Sequence, residues 1–427
     1  MKLLIKGGRV IDPKGVIDDN LDILIENRVV TKLGKSIKGT GCKVLNVKGH
    51  VVFPGLIDMH VHLREPGRED QETIETGTRA AVKGGFSSVV CMGNTEPPVD
   101  NEGIVGLIYA QARDTGSANV FPAACITMGK KGETLTEIGS LKKAGAVAIS
   151  DDGNCVMNSN LMRRALEYAS MFKIPVIDHC EDVSLSGDGV MNFGSESVRL
   201  GLKGIPAASE EVIVARDIIL SAMTGAHVHL AHISTAGSVD LIREAKAKSI
   251  NVTAETAPHY FTLTDESLKT FNTNFKMKPP LRTEKDRKAI LKGLKDGTID
   301  AIASDHAPHV KHEKDVEFNF APFGIIGLET SVGLSMTSLY HKKILTLMQF
   351  AERLSLNPAG ILNFKNKGHL SEGADGDVTV LDIDKEWTVK EEDFVSRSAN
   401  SPFVGWKMKG KAVVTVVSGK VVYNELS

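Results

Sequence analysis

Between residues 55 and 367 the chain repeats one unit eight times: a short apolar, β-branched-rich run, then a longer stretch. The runs lie at 56–63, 86–92, 119–125, 146–151, 175–180, 226–233, 251–256 and 300–305. Helical patterns fill most of the gaps, as at 73–83, 160–168, 209–223, 239–247 and 284–295. Eight β-then-α units in this length predict an α/β fold, a TIM-like (β/α)8 barrel. A doubly wound open sheet is the runner-up, because alternation alone does not distinguish a closed sheet from an open one. In both cases ligands bind at the carboxyl ends of the strands. The flanks read differently. Short β runs punctuated by Gly, Asn and Pro occupy 3–10, 22–25, 29–33 and 42–47, then 377–382, 406–409, 412–417 and 420–423. Ser418-Gly419 suggests a hairpin between the last two. The expected organisation is a small β-domain composed of 1–54 and 368–427, with the barrel at 55–367.

The ends of the eight runs carry the chemistry. Strand one ends in His60-Val-His62-Leu-Arg64, strand four in Ser150-Asp-Asp-Gly153, and strand five in Asp178-His-Cys180. Strand six ends in Ala231-His-Ile-Ser234 and strand eight in Ser304-Asp-His306. Two histidines two apart share a strand face and can close on one cation. A lone H-x-H pair is as often a buried, hydrogen-bonded pair, but a barrel brings five such ends to one rim. On strand six, alternation puts His227 and His229 opposite His232, so both are expected to face the helix layer as structural residues. Asp58 is expected to be a buried, hydrogen-bonded carboxylate one layer deeper. The expected ligands are His60, His62, His179, His232, Asp152 and Asp305, a nitrogen and oxygen set without sulfur. That set suits Zn2+, with manganese or cobalt as substitutes. Six ligands exceed one tetrahedral shell and suggest two ions sharing a carboxylate and a hydroxide.

Charge and cysteine usage exclude other classes. The 51 basic residues nearly balance the 53 acidic ones, with no basic block interleaved with aromatics, which argues against a nucleic-acid partner. The five cysteines are scattered, odd in number and without a C-x-x-C pair, as expected in a reducing compartment. No stretch offers about 18 uninterrupted apolar residues, and the opening Met1-Lys-Leu-Leu-Ile-Lys lacks a long apolar leader. The expected location is cytoplasmic, with no membrane partner.

Taken together, the motifs resemble those of the dihydroorotases, the longer bacterial type within the cyclic amidohydrolases. The stretches that carry the likeness are Pro54-Gly-Leu-Ile-Asp-Met-His-Val-His-Leu-Arg-Glu-Pro-Gly67, Asn94-Thr-Glu-Pro-Pro98 and Ser150-Asp-Asp-Gly153. They continue through His179-Cys-Glu-Asp182, Leu230-Ala-His-Ile-Ser-Thr235, Lys276-Met-Lys-Pro-Pro-Leu-Arg282 and Ser304-Asp-His-Ala-Pro-His309. Pro322-Phe-Gly-Ile-Ile-Gly-Leu-Glu329 and the closing Asn400-Ser-Pro-Phe403 complete them, so the likeness runs nearly end to end. It implies reversible closure of N-carbamoyl-L-aspartate to L-dihydroorotate in de novo pyrimidine (UMP) synthesis. The implied chemistry is attack by a metal-activated hydroxide on the ring amide. It also implies that His60 and His62 hold one Zn2+, that His179 and His232 hold a second, and that Asp152 bridges. Asp305 would bind the first ion and act as general acid and base. Arg64, Asn94 and His309 match the positions that bind the substrate carboxylate, Phe323 and Gly324 match the loop that contacts the pyrimidine ring, and His62 and Lys278 are further substrate-contacting positions. The implied partners are the small substrate, a second copy of the chain in a homodimer, and an aspartate transcarbamoylase.

Three positions depart from the family pattern. Met92-Gly-Asn-Thr95 stands where Met-Pro-Asn-Thr is usual, Lys278 where Asn is usual, and Ala257-Pro-His-Tyr260 where Thr-Pro-His-His is frequent. None removes an expected ligand. The register of the motif favours Asp152 over the adjacent Asp151 as the bridge. The charged stretch Lys311-His-Glu-Lys314 reads as a lid or as an ordinary mobile surface loop. The enzyme alternatives are a hydantoinase, dihydropyrimidinase or allantoinase, which lack the His62 and Arg64 pairing and commonly use a carboxylated strand-four lysine. The non-catalytic alternative is a dihydroorotase-like scaffold for a transcarbamoylase. Such scaffolds typically have lost ligands, and this chain keeps all six.

Overall fold

The structure, a computed structural model, describes residues 2–426. Eight parallel strands stand in chain order: Leu56–Val61, Phe86–Cys91, Asn119–Ala124, Ala148–Ile149, Val176–Asp178, Val228–Leu230, Val252–Thr256 and Ala301–Ile302. The first and last meet through a parallel bridge from Val61 to His306, with His62 N–H donating to His306 O at 2.8 Å. Closure settles the choice left open by alternation: the fold is a barrel. Each expected strand core is present, and the expected helices appear within a few residues of their predicted ends.

Local chemistry sets those ends. Thr73 caps Ile74–Gly84 in a reciprocal box with Thr76, and Gly85 closes it in the left-handed region at φ 98°. Thr283 and Asp286 form the same box at the start of Glu284–Asp296. Ile57, Met59, Val90, Met92, Ala123, Ala148, Ile177, Ala231, Ala301 and Ala303 form one buried apolar cluster of barrel-strand residues. It is closed by Ala359, Ile361 and Leu362, with Phe364 against Phe121 at 4.5 Å between ring centroids. The Ile, Val, Leu and Met side chains among them contribute about 1.5–3 kcal/mol each by burial, and the alanines less. The packing leaves the strand ends as the polar surface of the barrel.

The termini meet in one eight-stranded sheet. Its path runs Lys420–Asn424, Lys407–Val417, Val378–Thr388, Val51–Pro54, Lys2–Asp12, Ile17–Glu26 and Val29–Gly34, with Lys43–Asn46 paired to Lys2–Asp12. The joint is the antiparallel pairing of Val52 with Val380. Ser418 and Gly419 both adopt left-handed φ, at 48° and 76°, as a two-residue hairpin turn requires. The runs expected at 406–409 and 412–417 form a single strand, Lys407–Val417. Gly410 carries it past Met336, whose Cβ would lie 2.6 Å from any side chain at that position.

Candidate active site

Four histidines and two aspartates converge at the carboxyl rim. Asp152 Oδ1 lies 3.2 Å from His60 Nε2, 3.5 Å from His232 Nε2 and 3.6 Å from His179 Nδ1. Its Oδ2 lies 3.5 Å from His62 Nε2. Asp305 Oδ1 is 3.2 Å from His62 Nε2 and 3.6 Å from His60 Nε2. All six are buried. They form two overlapping groups able to hold a cation, His60–His62–Asp305 and His60–Asp152–His232, with His179 Nδ1 2.8 Å from His232 Nε2.

Two observations fit this set to a divalent ion. His60 Nε2 and Asp152 Oδ1 face each other without a hydrogen bond, although both are buried. Such atoms are normally satisfied, and a cation between them would satisfy both. The other observation is tautomeric. His60 Nδ1 meets Glu255 Oε1 at 2.7 Å, His62 Nδ1 meets Asn94 Oδ1 at 2.9 Å, and His179 Nε2 meets Glu181 Oε2 at 3.1 Å. Each acceptor holds the ring proton on the outer nitrogen and leaves the inner lone pair free for a metal.

The electrostatics agree. Against the cost of burial, hydrogen bonds from His229 and His60 hold the Glu255 carboxyl down at about 2. Against the same cost, His62, His60 and His232 hold Asp305 at about 2. Against the same cost, the neighbouring Asp152 and Glu181 carboxylates push His179 up to about 9. The cluster attracts positive charge, protons included.

Asp151 and Asp152 are adjacent but separate in role. Asp151 Oδ1 accepts from Ile126 N at 2.8 Å and Thr127 N at 3.1 Å, a structural bracket for the strand-three loop. Asp152 faces the histidines, held from behind by Lys130 Nζ on its carbonyl at 2.6 Å. Asp58 is buried as expected and accepts from Ser304 N at 3.1 Å and His60 N at 3.2 Å; burial pushes its carboxyl up to about 6.

His229 corrects the parity reading. It does not face the helix layer: its Nδ1 meets Thr253 Oγ1 at 2.8 Å and its Nε2 lies 3.3 Å from Glu255 Oε2. It therefore stands behind Glu255, which in turn holds His60. His227 meets the same Thr253 hydroxyl at 2.8 Å. Alternation fails because the strand ends at Leu230 and His232 has a left-handed φ of 34°. Arg64 and Asp305 share that conformation, at φ 60° and 50°. Left-handed backbone in non-glycine residues costs about 1–3 kcal/mol each and gathers at functional sites.

A cavity of about 410 Å³ opens over the cluster, lined among others by His62, Arg64, Asn94, Lys278, His309, Phe323 and Gly324. Every substrate-contacting position expected from the sequence lines it. Arg64 donates from Nε to Pro308 O at 3.3 Å and makes no ion pair among the described residues; burial lowers it to about 10. Burial, then Arg64, hold His309 neutral, at about 3, and it meets Phe323 O at 2.8 Å. Gly324 sits at φ 126°, where a Cβ would lie 2.7 Å from Ala307 Cβ and 3.2 Å from His309 Nε2. Lys278 pairs with Glu181 at 2.8 Å and lies 5.4 Å from the centre of the Phe323 ring. The charged stretch after strand eight is anchored at its second half. Lys314 is buried and donates to Pro322 O and Gly324 O at 2.9 and 3.0 Å, while Glu313 pairs with Arg68 at 2.5 Å.

Sequence reasoning passed over Glu255 and Glu181. The available signal was a carboxylate in an otherwise apolar strand run, and a histidine whose second nitrogen needed an acceptor.

A closed barrel with this rim defines a hydrolase of the cyclic amidohydrolase class. Dihydropyrimidinase from Brevibacillus agri superimposes with a TM-score of 0.88 at 23% identity, covering 100% of this chain and 95% of that one. L-hydantoinase from Arthrobacter aurescens gives 0.88 at 22%, covering 100% and 96%. At these identities the likeness speaks for the fold. A family described as dihydro-orotase-like matches residues 49–238. A dihydroorotase from Citrifermentans bemidjiense is 56% identical over 424 residues, 99% of this chain and 100% of its own. One from Syntrophus aciditrophicus is 49% identical over 427 residues, covering both chains completely. The chain belongs to the dihydroorotase family.

Proposed function

We propose that this chain catalyses the dihydroorotase reaction, the reversible closure of N-carbamoyl-L-aspartate to L-dihydroorotate in pyrimidine synthesis. The observation that carries the reading is Arg64: a half-buried guanidinium with no ion pair among the described residues, lining the same cavity as the histidine–aspartate cluster. Its planar fork matches a carboxylate, which dihydroorotate has and a plain hydantoin lacks.

The donor set of imidazoles and carboxylates fits Zn2+ better than a hard cation such as Mg2+. His60, His62 and Asp305 would hold one ion, His179 and His232 a second, and Asp152 would join them. Zinc supplies Lewis acidity and a nucleophilic hydroxide at neutral pH. Asp305 lies 3.2 Å from His62 and is held ionised, so it can take the proton of the attacking water. During ring opening it returns that proton to the ring nitrogen as the carbon–nitrogen bond breaks; during closure the proton moves the other way. Arg64 binds the substrate carboxylate, and Asn94 adds its amide N–H once its carbonyl is engaged by His62. His309 stands with Arg64 and Asn94 at the carboxylate, Phe323 and Gly324 form the wall that faces the ring, and Lys278 closes the side beside His179.

The division at 54/55 and 367/368 separates the catalytic barrel from the terminal sheet. No described helix is long and apolar enough to cross a membrane. All five cysteines are free and four are buried, which supports a reducing, cytoplasmic setting. Pairing of barrels and association with an aspartate transcarbamoylase rest on the family resemblance, and light scattering with and without that partner reads both.

The test is ring opening by purified, zinc-replete protein, with L-dihydroorotate, allantoin and hydantoin side by side and metal counted on the same sample. Turnover of dihydroorotate alone supports the reading. Turnover of hydantoin or allantoin instead overturns it, and silence on all three with metal bound points to a scaffold or a partner-dependent enzyme.

A further inference from the structure

The C-terminal β-domain sends one segment back to the barrel. After the strand Val378–Thr388 the chain leaves the sheet, crosses the rim, and returns as Lys407–Val417. The crossing is fastened at successive points. Glu329 accepts from Val395 N at 3.1 Å and Ser396 N at 3.2 Å. Glu72, wholly buried, accepts from Arg397 N at 3.2 Å and holds His306 at 3.2 Å. Ser398 Oγ donates to Gln71 O at 2.7 Å, and the Gln71 amide reaches His309 Nδ1 at 3.3 Å.

The last fastening is the most pointed. Asn400 is 5% exposed, and its side chain is used on both sides. Its Oδ1 accepts from His309 N at 3.1 Å, while its Nδ2 donates to Ala307 O and Gly324 O, both at 3.1 Å. Its backbone carbonyl accepts from Ile326 N at 3.1 Å. One side chain thus ties the loop after strand eight to the loop that carries Phe323 and Gly324. An asparagine suits the place because it presents one acceptor and two donors in a plane, matching one N–H and two carbonyls.

We propose that Asn400, delivered by the C-terminal domain, is a positioning residue that sets the distance between His309 and Gly324, and with it the fit of the substrate ring. The inference rests on the dihydroorotase reading of the cavity. It places part of the substrate-recognition machinery outside the barrel and makes the terminal domain a contributor to the site. Asn400 makes no hydrogen bond to any of the six cluster residues, so its loss acts on substrate fit and leaves the metal centre in place.

The test compares Asn400→Ala, Asn400→Asp and Ser401→Ala in the full chain. Ser401 is equally buried, but its hydroxyl only accepts from Phe403 N at 3.2 Å within the same segment. Both Asn400 variants are expected to raise KM for dihydroorotate roughly 10–100-fold with a smaller change in kcat, as small misplacements of binding groups do. Asn400→Asp keeps the acceptor for His309 but turns an oxygen on two carbonyls, so it is expected to be no milder than Asn400→Ala. Bound metal per chain stays at the unaltered level, and Ser401→Ala leaves KM unchanged. A purely structural role predicts lost activity in proportion to lost folded protein at constant KM, and that result overturns the proposal. Should the variants not fold, hydrogen exchange on the unaltered protein decides: slow exchange at the His309 amide supports the clamp, and fast exchange overturns it. Failure of the functional reading is separate, since it shows as no dihydroorotate turnover by the unaltered chain, where the exchange measurement still reads the clamp.

Discussion

The terminal sheet and the barrel rim both bury aspartates, and they treat them in opposite ways. In the sheet domain, Asp22 accepts from Gly7 N at 3.0 Å and Ile37 N at 2.9 Å, and Asp12 accepts from Lys14 N and Leu370 N, both at 3.1 Å. Those carboxylates spend their lone pairs on backbone and tie turns to strands. At the rim, Asp152 faces four imidazoles and leaves Oδ1 without a hydrogen bond. Around it, His232, Arg64 and Asp305 hold left-handed backbone. Burial alone is therefore a poor guide to function. What separates the regions is whether a buried polar group is satisfied within the fold or awaits something from outside.

Substitutions can break or sharpen that contrast. The largest effect is expected at Asp305. On the proposed reading Asp305→Ala removes a general acid and base and a metal ligand together, so kcat should fall by about 10³-fold or more while the protein remains folded. Steady-state kinetics alongside circular dichroism checks this, and retention of even a tenth of the activity sinks the role. One step back from the reacting groups, Glu255→Gln leaves His60 without its charged acceptor. Metal affinity should drop roughly 10–100-fold, with activity recovered at high zinc. Competition with a chromophoric chelator reads the affinity directly, and an unchanged value would show that the His60–Glu255 contact is idle.

The sheet should respond in the converse way. Ile23 is fully buried in its core, and Ile23→Ala should cost about 2–5 kcal/mol of stability in a denaturant titration. KM for the folded fraction should not move; a shifted KM would show that the sheet's interior couples to the site. The last contrast concerns Lys314. Burial, and then repulsion from Lys276, lower its ammonium from 10.5 to about 7. The unfolded chain thus holds a proton that the folded chain releases between those values. Stability relative to Lys314→Met should rise as the pH climbs from about 7 toward 10 and be level below 7. Paired melting curves across that range test the sign, and a falling difference contradicts it.

The eight strand cores and the ligand-bearing strand ends could be read from the chain because both are local patterns, an apolar run and the residue that follows it. Closure could not, since it depends on Val61 meeting His306 across the whole barrel. The face of His229 was misread because alternation holds only inside a strand, and His232 lies beyond the last strand residue in a left-handed turn. Glu255, Glu181 and Asn400 were legible as residues but silent as partners, because each acts through a contact far away in sequence. Lys278 stood out only against the family pattern, and its pairing with Glu181 shows that its charge is spent partly beside His179.

The central claim is that the rim joins a divalent-metal cluster to a guanidinium that reads a carboxylate. It is tested most directly by comparing L-dihydroorotate with dihydrouracil, the same ring without the carboxylate, in the zinc-replete chain and in Arg64→Ala. A preference of roughly 10²–10³ in kcat/KM for dihydroorotate is expected from a bidentate charge pair inside the cavity, and it should collapse in the variant. Equal turnover of the two rings by the unaltered chain, or a preference that survives loss of Arg64, would contradict the account.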